Sequence, residues 1–115
     1  MPAQPLTEFG PPNNATTPAV AASLIAKASG GLLYGLSGYN NLAGQQWIQL
    51  FDSATLPADG TVPIVTFPVG ANSSFSMDFG YHGREFLAGI VICNSTTAVT
   101  KTIGAANCLF DMQVQ

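Results

Sequence analysis

The chain carries one histidine, His82, within the segment Asp78-Phe79-Gly80-Tyr81-His82-Gly83-Arg84-Glu85. An imidazole among carboxylates is the raw material of a general base or of a nucleophile triad, but a triad also needs a hydroxyl or thiol held by that imidazole. The serines show no Gly-x-Ser-x-Gly elbow, and nothing around Asp78 and Glu85 marks the cleft that an acid and base pair would flank. Asp78-Phe79-Gly80 spells a kinase metal-binding tripeptide without the glycine-rich loop, strand lysine or His-Arg-Asp segment that gives it meaning. Gly31, Gly35 and Gly38 fit neither phosphate-loop nor dinucleotide spacing. Cys93 and Cys108 stand fifteen positions apart with no Cys-x-x-Cys or His-x-x-x-His spacing, so no metal site is indicated. The chain reads as a non-enzyme without cofactor, in which the 80–84 turn is exposed and Tyr81, His82 and Arg84 meet solvent or a partner.

Composition supports that reading. Charged residues make up 8% of the chain, against about 25% in an ordinary soluble domain. The three cations, Lys27, Arg84 and Lys101, lie far apart, which argues against nucleic acid, since affinity for phosphates comes from clustered Lys and Arg. The longest apolar stretch, Phe86 to Cys93, is far short of the roughly 20 residues that span a bilayer, so no membrane role is expected. The first residues lack the basic and apolar regions of a secretory leader, which implies synthesis in a cytoplasm. There, buried free thiols are expected at Cys93 and Cys108, although a disulfide between neighbouring strands is geometrically open. Asn-x-Ser/Thr sequons at Asn14, Asn72 and Asn94 are what loops of this composition yield by chance.

The elements follow from punctuation. Residues 1–19 hold five of the eight prolines, and a proline fixes φ and removes a backbone donor, so this stretch is neither helix nor interior strand. It reads as an extended arm, with Leu6 and Phe9 as apolar anchors beside Pro11 and Pro12 that could order against a neighbour. Residues 20–115 read as one body of short period-two segments bounded by Gly, Pro, Asn and Asp. Strands are expected at about 21–28, 31–39, 45–52, 62–67, 84–94 and 97–103. Two more are marked by alternation, Phe75, Met77 and Phe79 against Ser74, Ser76 and Asp78, and Cys108, Phe110, Met112 and Val114 against Asn107, Asp111, Gln113 and Gln115, with Leu109 alone breaking the pattern. About eight strands with evenly spaced turns argue for an all-β, antiparallel, jelly-roll-like sandwich.

One strand differs from the rest. In Gln46-Trp47-Ile48-Gln49-Leu50-Phe51-Asp52, Ile48 and Leu50 point one way while Trp47 and Phe51 point the other. One pair can fill the core; the other needs cover from an arm, a loop or another subunit, and large aromatics are enriched where partners bind.

Taken together, the segments LLYGLSGYNN, QQWIQLFDSATLPADG and FSMDFGYHGREFLAGIVICNSTTAVTKTIGA, with the closing alternating strand, resemble small β-sandwich proteins encoded among the structural genes of tailed bacteriophages. The marks are Tyr39-Asn40, the turn from Phe51 to Gly60, the turn from Asp78 to Arg84, and Gly89-Ile90 leading to Ser95-Thr96-Thr97; they are turn and core residues, and the arm lies outside them. The resemblance implies a virion-associated protein such as a capsid decoration or cement protein, made in the host bacterial cytoplasm. Its partners would be the major capsid protein or other virion proteins, and it would form a homo-oligomer, with a trimer as one form. The contacts expected are Leu6, Phe9, Pro11, Pro12, Trp47, Phe51, Tyr81, His82 and Arg84. The alternative is a carbohydrate-binding module displayed on the particle, with Tyr34, Tyr39, Trp47 and Tyr81 forming a glycan platform, since jelly rolls also host lectins.

Overall fold

A computed structural model describes residues 13–115. Every regular element among them is a strand: β1 (Asn13–Thr16), β2 (Ser23–Lys27), β3 (Gly31–Asn40), β4 (Gln46–Asp52), β5 (Val65–Val69), β6 (Ser73–Asp78), β7 (Arg84–Phe86), β8 (Ile90–Ser95) and β9 (Cys108–Val114). They form two antiparallel sheets, sheet A in the order β1-β9-β3-β6 with β7 also on β3, and sheet B in the order β2-β8-β4-β5. In sheet A, β6 takes Gly35 to Asn40 of β3 and β7 takes Gly31 to Leu33, so two short strands lie end to end along one long one. The pairs β1 with β9, β2 with β8, β3 with β6 and β4 with β5 are those of one long hairpin wrapped alternately into two sheets. That connectivity is a jelly roll.

The core lies where the two sheets face each other. Alternation sends Leu33, Leu36, Phe75, Phe110 and Met112 inward from sheet A and Ile48, Leu50, Ile90 and Ile92 inward from sheet B, all buried in one cluster. Each such side chain contributes about 1.5–3 kcal/mol by leaving water. Gly38 lies between Phe75 and Phe110 in the register, and the Phe75 ring occupies the space a Cβ at Gly38 would need.

One end of the sandwich is closed by amides instead of hydrocarbon. Asn40, Gln46 and Asn94 are fully buried. Asn40 donates to the Gly44 and Gly70 carbonyls at 3.0 and 2.9 Å and accepts from Gln46 Nε2 at 2.8 Å. Asn94 donates to Gln46 Oε1 at 2.9 Å, the Ala105 carbonyl at 2.9 Å and Asn107 Oδ1 at 3.0 Å. Three loops, 41–45, 70–72 and 104–107, are thereby tied to both sheets. Hydrogen bonds of this kind offset the cost of burying such groups, although Asn94 Oδ1 is buried without a partner.

The structure departs from the expected strands at four places. Residues 13–16, expected in the arm, form edge strand β1 against β9. The expected 62–67 strand falls at β5, Val65–Val69. The expected 84–94 strand is two strands in different sheets, β7 and β8. The break is made by Asp52, whose carboxylate accepts the N–H groups of Leu87, Ala88 and Gly89 at 3.0, 2.7 and 3.3 Å. These bonds, with a smaller effect from Arg84, hold the Asp52 carboxyl below the usual carboxylate range. Residues 97–103, expected as a strand, are a loop with one isolated bridge, Ser95 to Ile103. Ser95 Oγ accepts the N–H groups of Thr97 and Thr102 at 3.2 and 3.0 Å, and Thr97 Oγ1 donates to the Thr100 carbonyl at 2.6 Å. Local side-chain bonds of this kind compete directly with a ladder.

Candidate functional site

The 79–83 turn is built by local chemistry. Asp78 Oδ1 accepts the Gly80 N–H at 2.8 Å, the Gly83 N–H donates to the Gly80 carbonyl at 3.2 Å, and Gly80 and Gly83 take φ of 87° and 74°, where a side chain is strained. The turn displays Tyr81, 78% exposed, with the His82 ring edge-on to it at 5.3 Å between centroids. His82, Arg84 and Glu85 are exposed as well. Tyr81 and His82 thus share one projection, while Arg84 lies beside it at the start of β7, opposite Leu33. Beyond β7, Leu87 stands 79% exposed on the loop that Asp52 fixes, a displayed apolar residue that sequence reasoning hid inside a strand.

The outer face of sheet A continues from that turn. Its outward positions are Asn14 and Thr16 on β1, Leu109, Asp111 and Gln113 on β9, Ser37 and Tyr39 on β3, and Ser74, Ser76 and Asp78 on β6, as the register and the buried partners on the other face require. Thr16 Oγ1 donates to Asp111 Oδ1 at 2.8 Å. A shallow groove runs over Gly35, lined by Tyr34, Ser76, Met77, Asp78 and Gln113, and the Tyr34 hydroxyl donates to Gln115 Oε1 at 2.6 Å.

The middle of the outer face of sheet B is apolar and covered, while Ile25 on β2 and Thr66 and Pro68 on β5 are exposed at its edges. Phe51, Val91 and Cys93 form a second buried cluster under Ile103. The covering segment, residues 96–104, is anchored by Gln49, whose Nε2 donates to the carbonyls of Thr97, Ala98 and Thr100 at 2.9, 3.3 and 3.3 Å. It is also anchored by Lys101, 3% exposed, whose ammonium donates to Asp59 Oδ1 at 2.5 Å. That bond and the Ile103 N–H lower the Asp59 carboxyl from its ordinary range.

Of the expected contact residues, Phe51 is corrected. It is 2% exposed beneath the 96–104 loop, so the cover its strand required comes from the chain itself. Trp47, opposite Pro68 and Ser95, is half-buried on the same face. Leu6, Phe9, Pro11 and Pro12 lie outside the described residues. The four aromatics expected as one platform do not assemble: Tyr34 and Tyr39 belong to β3 in sheet A, Trp47 to sheet B, and Tyr81 to the turn. Both cysteines are free and buried, Cys93 in the outer cluster and Cys108 between the sheets. Burial pushes the Cys93 thiol up to about 12 and the Cys108 thiol up to about 11, which disfavours the reactive thiolate while each stays covered. Among the described residues no group of three His, Cys, Asp or Glu could hold a metal. The Asn94 sequon lies on a fully buried side chain.

No protein-family model matches the chain, and no curated protein matches it. Among solved structures it is similar to the Tobacco streak virus coat protein in a C2 crystal form, with a TM-score of 0.45 and 13% identity over 98% of this chain and 90% of that one. A structure of the Tobacco streak virus coat protein dimer is similar with a TM-score of 0.41 and 13% identity, covering 90% of this chain and 79% of that one.

Proposed function

We propose that this protein is a structural component of a bacteriophage particle, a decoration or cement protein that packs on the head through uncharged surface and its first residues. The observation that carries the reading is the outer face of sheet A, where hydroxyl and amide side chains surround Tyr39 and Leu109 and β1 forms the edge. Asp78 and Asp111 are its charges, so laying it on a neighbour removes few ions from water, and desolvated charge is the large cost in association. The Tyr81 projection adds aromatic area of the kind enriched at binding hot spots.

Strand β1 sets where the test must cut. Removing residues 1–19 would take an edge strand and the Thr17 bonds to Phe110 at 3.0 Å out of the body, whereas removing residues 1–12 leaves all nine strands. The 1–12 deletion is expected to fold and to lose attachment to particles; full occupancy by that variant would overturn the role of the arm. Attachment of the whole chain should survive about 0.5 M salt, because exposed charge pairs are screened there.

A second reading, a glycan-binding module, is favoured by the groove over Gly35, where the Tyr34 ring, Asp78 and Gln113 converge. Glycan-array binding lost in Tyr34→Ala would support it, and silence on the array would remove it.

A further inference from the structure

We propose that residues 96–104 form a releasable strap, latched by Asp59 on the buried Lys101 ammonium, that opens locally to bare the apolar strip Phe51, Val91 and Cys93 on sheet B. The strap is joined to the body by point contacts, with one isolated bridge in place of a ladder. On its inner side Ile103 packs on the strip, while Val99 on its outer side is 75% exposed. The turn at residues 58–61 grips it: the Gly60 N–H donates to the Lys101 carbonyl at 2.7 Å, the Lys101 N–H to the Thr61 carbonyl at 2.8 Å, and the Ile103 N–H to Asp59 Oδ1 at 3.2 Å.

Two features make this closure breakable without unfolding the sandwich. The Lys101–Asp59 contact is the one ion pair among the described residues, and it joins a buried cation to a carboxylate that is 53% exposed. Removing such a carboxylate orphans the ammonium inside the protein, which is far more costly than losing a surface pair. Gln49 is fully buried and gives its Nε2 to three strap carbonyls, yet its Oε1 has no partner. An unpaired buried acceptor opposes closure, and opening returns it to water. Neither group belongs to the core between the sheets, so release costs the outer cluster and the strap's hydrogen bonds to Gln49, Asp59, the 58–61 turn and the Asn94 carbonyl, and leaves the inner core packed. Loops with few buried apolar contacts are the units that open below the global unfolding energy.

The two thiols report this directly, one under the strap and one between the sheets. The full chain is labelled with N-ethylmaleimide under native conditions, and each cysteine is followed by peptide mass mapping. Cys93 is expected to label at least about tenfold faster than Cys108. Asp59→Asn should raise the Cys93 rate by about another tenfold or more and leave Cys108 unchanged, because it orphans the cation. Asp59→Asn combined with Lys101→Met, which removes the orphan, should bring Cys93 back toward the parent rate. Equal labelling of both thiols in the parent would overturn the strap, as would their parallel acceleration in Asp59→Asn, since both report opening of the whole sandwich. A double variant that labels as fast as the single one would overturn the latch.

Discussion

On the outer face of sheet A, Ser37, Ser74, Ser76, Asp111 and Gln113 occupy outward positions beside Tyr39 and Leu109, with Ser74 and Ser76 exposed and the other three polar residues half-buried. On the outer face of sheet B, Phe51, Val91 and Cys93 occupy equivalent positions and are buried by a loop. The pleat is the same in both sheets, and what differs is the side chain placed on the second face of each strand. A strand with one apolar face can leave the other in water, whereas a strand with two must be covered on both. The polar sheet stays available for a neighbour; the apolar one consumes part of the chain to hide itself.

The strongest way to break this contrast is to truncate one residue on each face. Phe51→Ala should cost about 3–5 kcal/mol of unfolding free energy, as deletion of a buried aromatic does, while Ser76→Ala should fall within about 0.5 kcal/mol of the parent. Urea denaturation of the pair is the measurement, and similar costs at the two sites would mean that the loop does not bury sheet B. A smaller effect comes from the thiols. Both are raised above the ordinary value of 9.0, so the unfolded chain ionises first and stability falls as the pH rises from 9 toward 12. Cys93→Ala should flatten that alkaline loss more than Cys108→Ala, since Cys93 is raised further; unfolding midpoints at several alkaline pH values check the order. The smallest effect concerns Asp52, which ties the end of β4 to the loop between β7 and β8. Its carboxyl is lowered from 3.8, so its contribution is present above that pH and is lost as the pH falls through the folded value. Asp52→Asn should therefore be less stable than the parent at neutral pH and converge with it in acid, which an acid titration of the unfolding midpoint would reveal.

Much of this architecture was legible in the residues. Alternation placed β6 and β9 and both faces of β4, and the turn residues separated the strands well enough to indicate a jelly roll. The 96–104 loop was not legible, because Val99, Lys101 and Ile103 alternate as a strand would, and only the hydroxyls of Ser95 and Thr97, bonding to nearby backbone, divert it. The division of 84–94 was hidden for a similar reason, since the residue that breaks it, Asp52, is 35 positions away from Leu87. The buried amides Asn40, Gln46 and Asn94 gave no sign at all: Asn and Gln are read as turn or surface residues, and their burial is decided by one another. The exposed trio Tyr81, His82 and Arg84 was readable from its flanking glycines, but Leu87 was masked by the apolar run that contains it.

The pairing of β1 with β9 has a kinetic consequence. Thr16 and Asp111, joined across the outer face, are 95 positions apart, and the wrapped hairpin makes its outermost pairs the most distant in sequence. Contacts of such separation carry a large loop-closure entropy before they return any stabilisation, which places a chain of this topology among slow folders. During synthesis β1 is made first and then waits, edge uncovered, until β9 arrives. Its Asn13-Asn14-Ala15-Thr16 sequence, polar and short, suits that interval, because a hydrophobic strand waiting so long would invite aggregation.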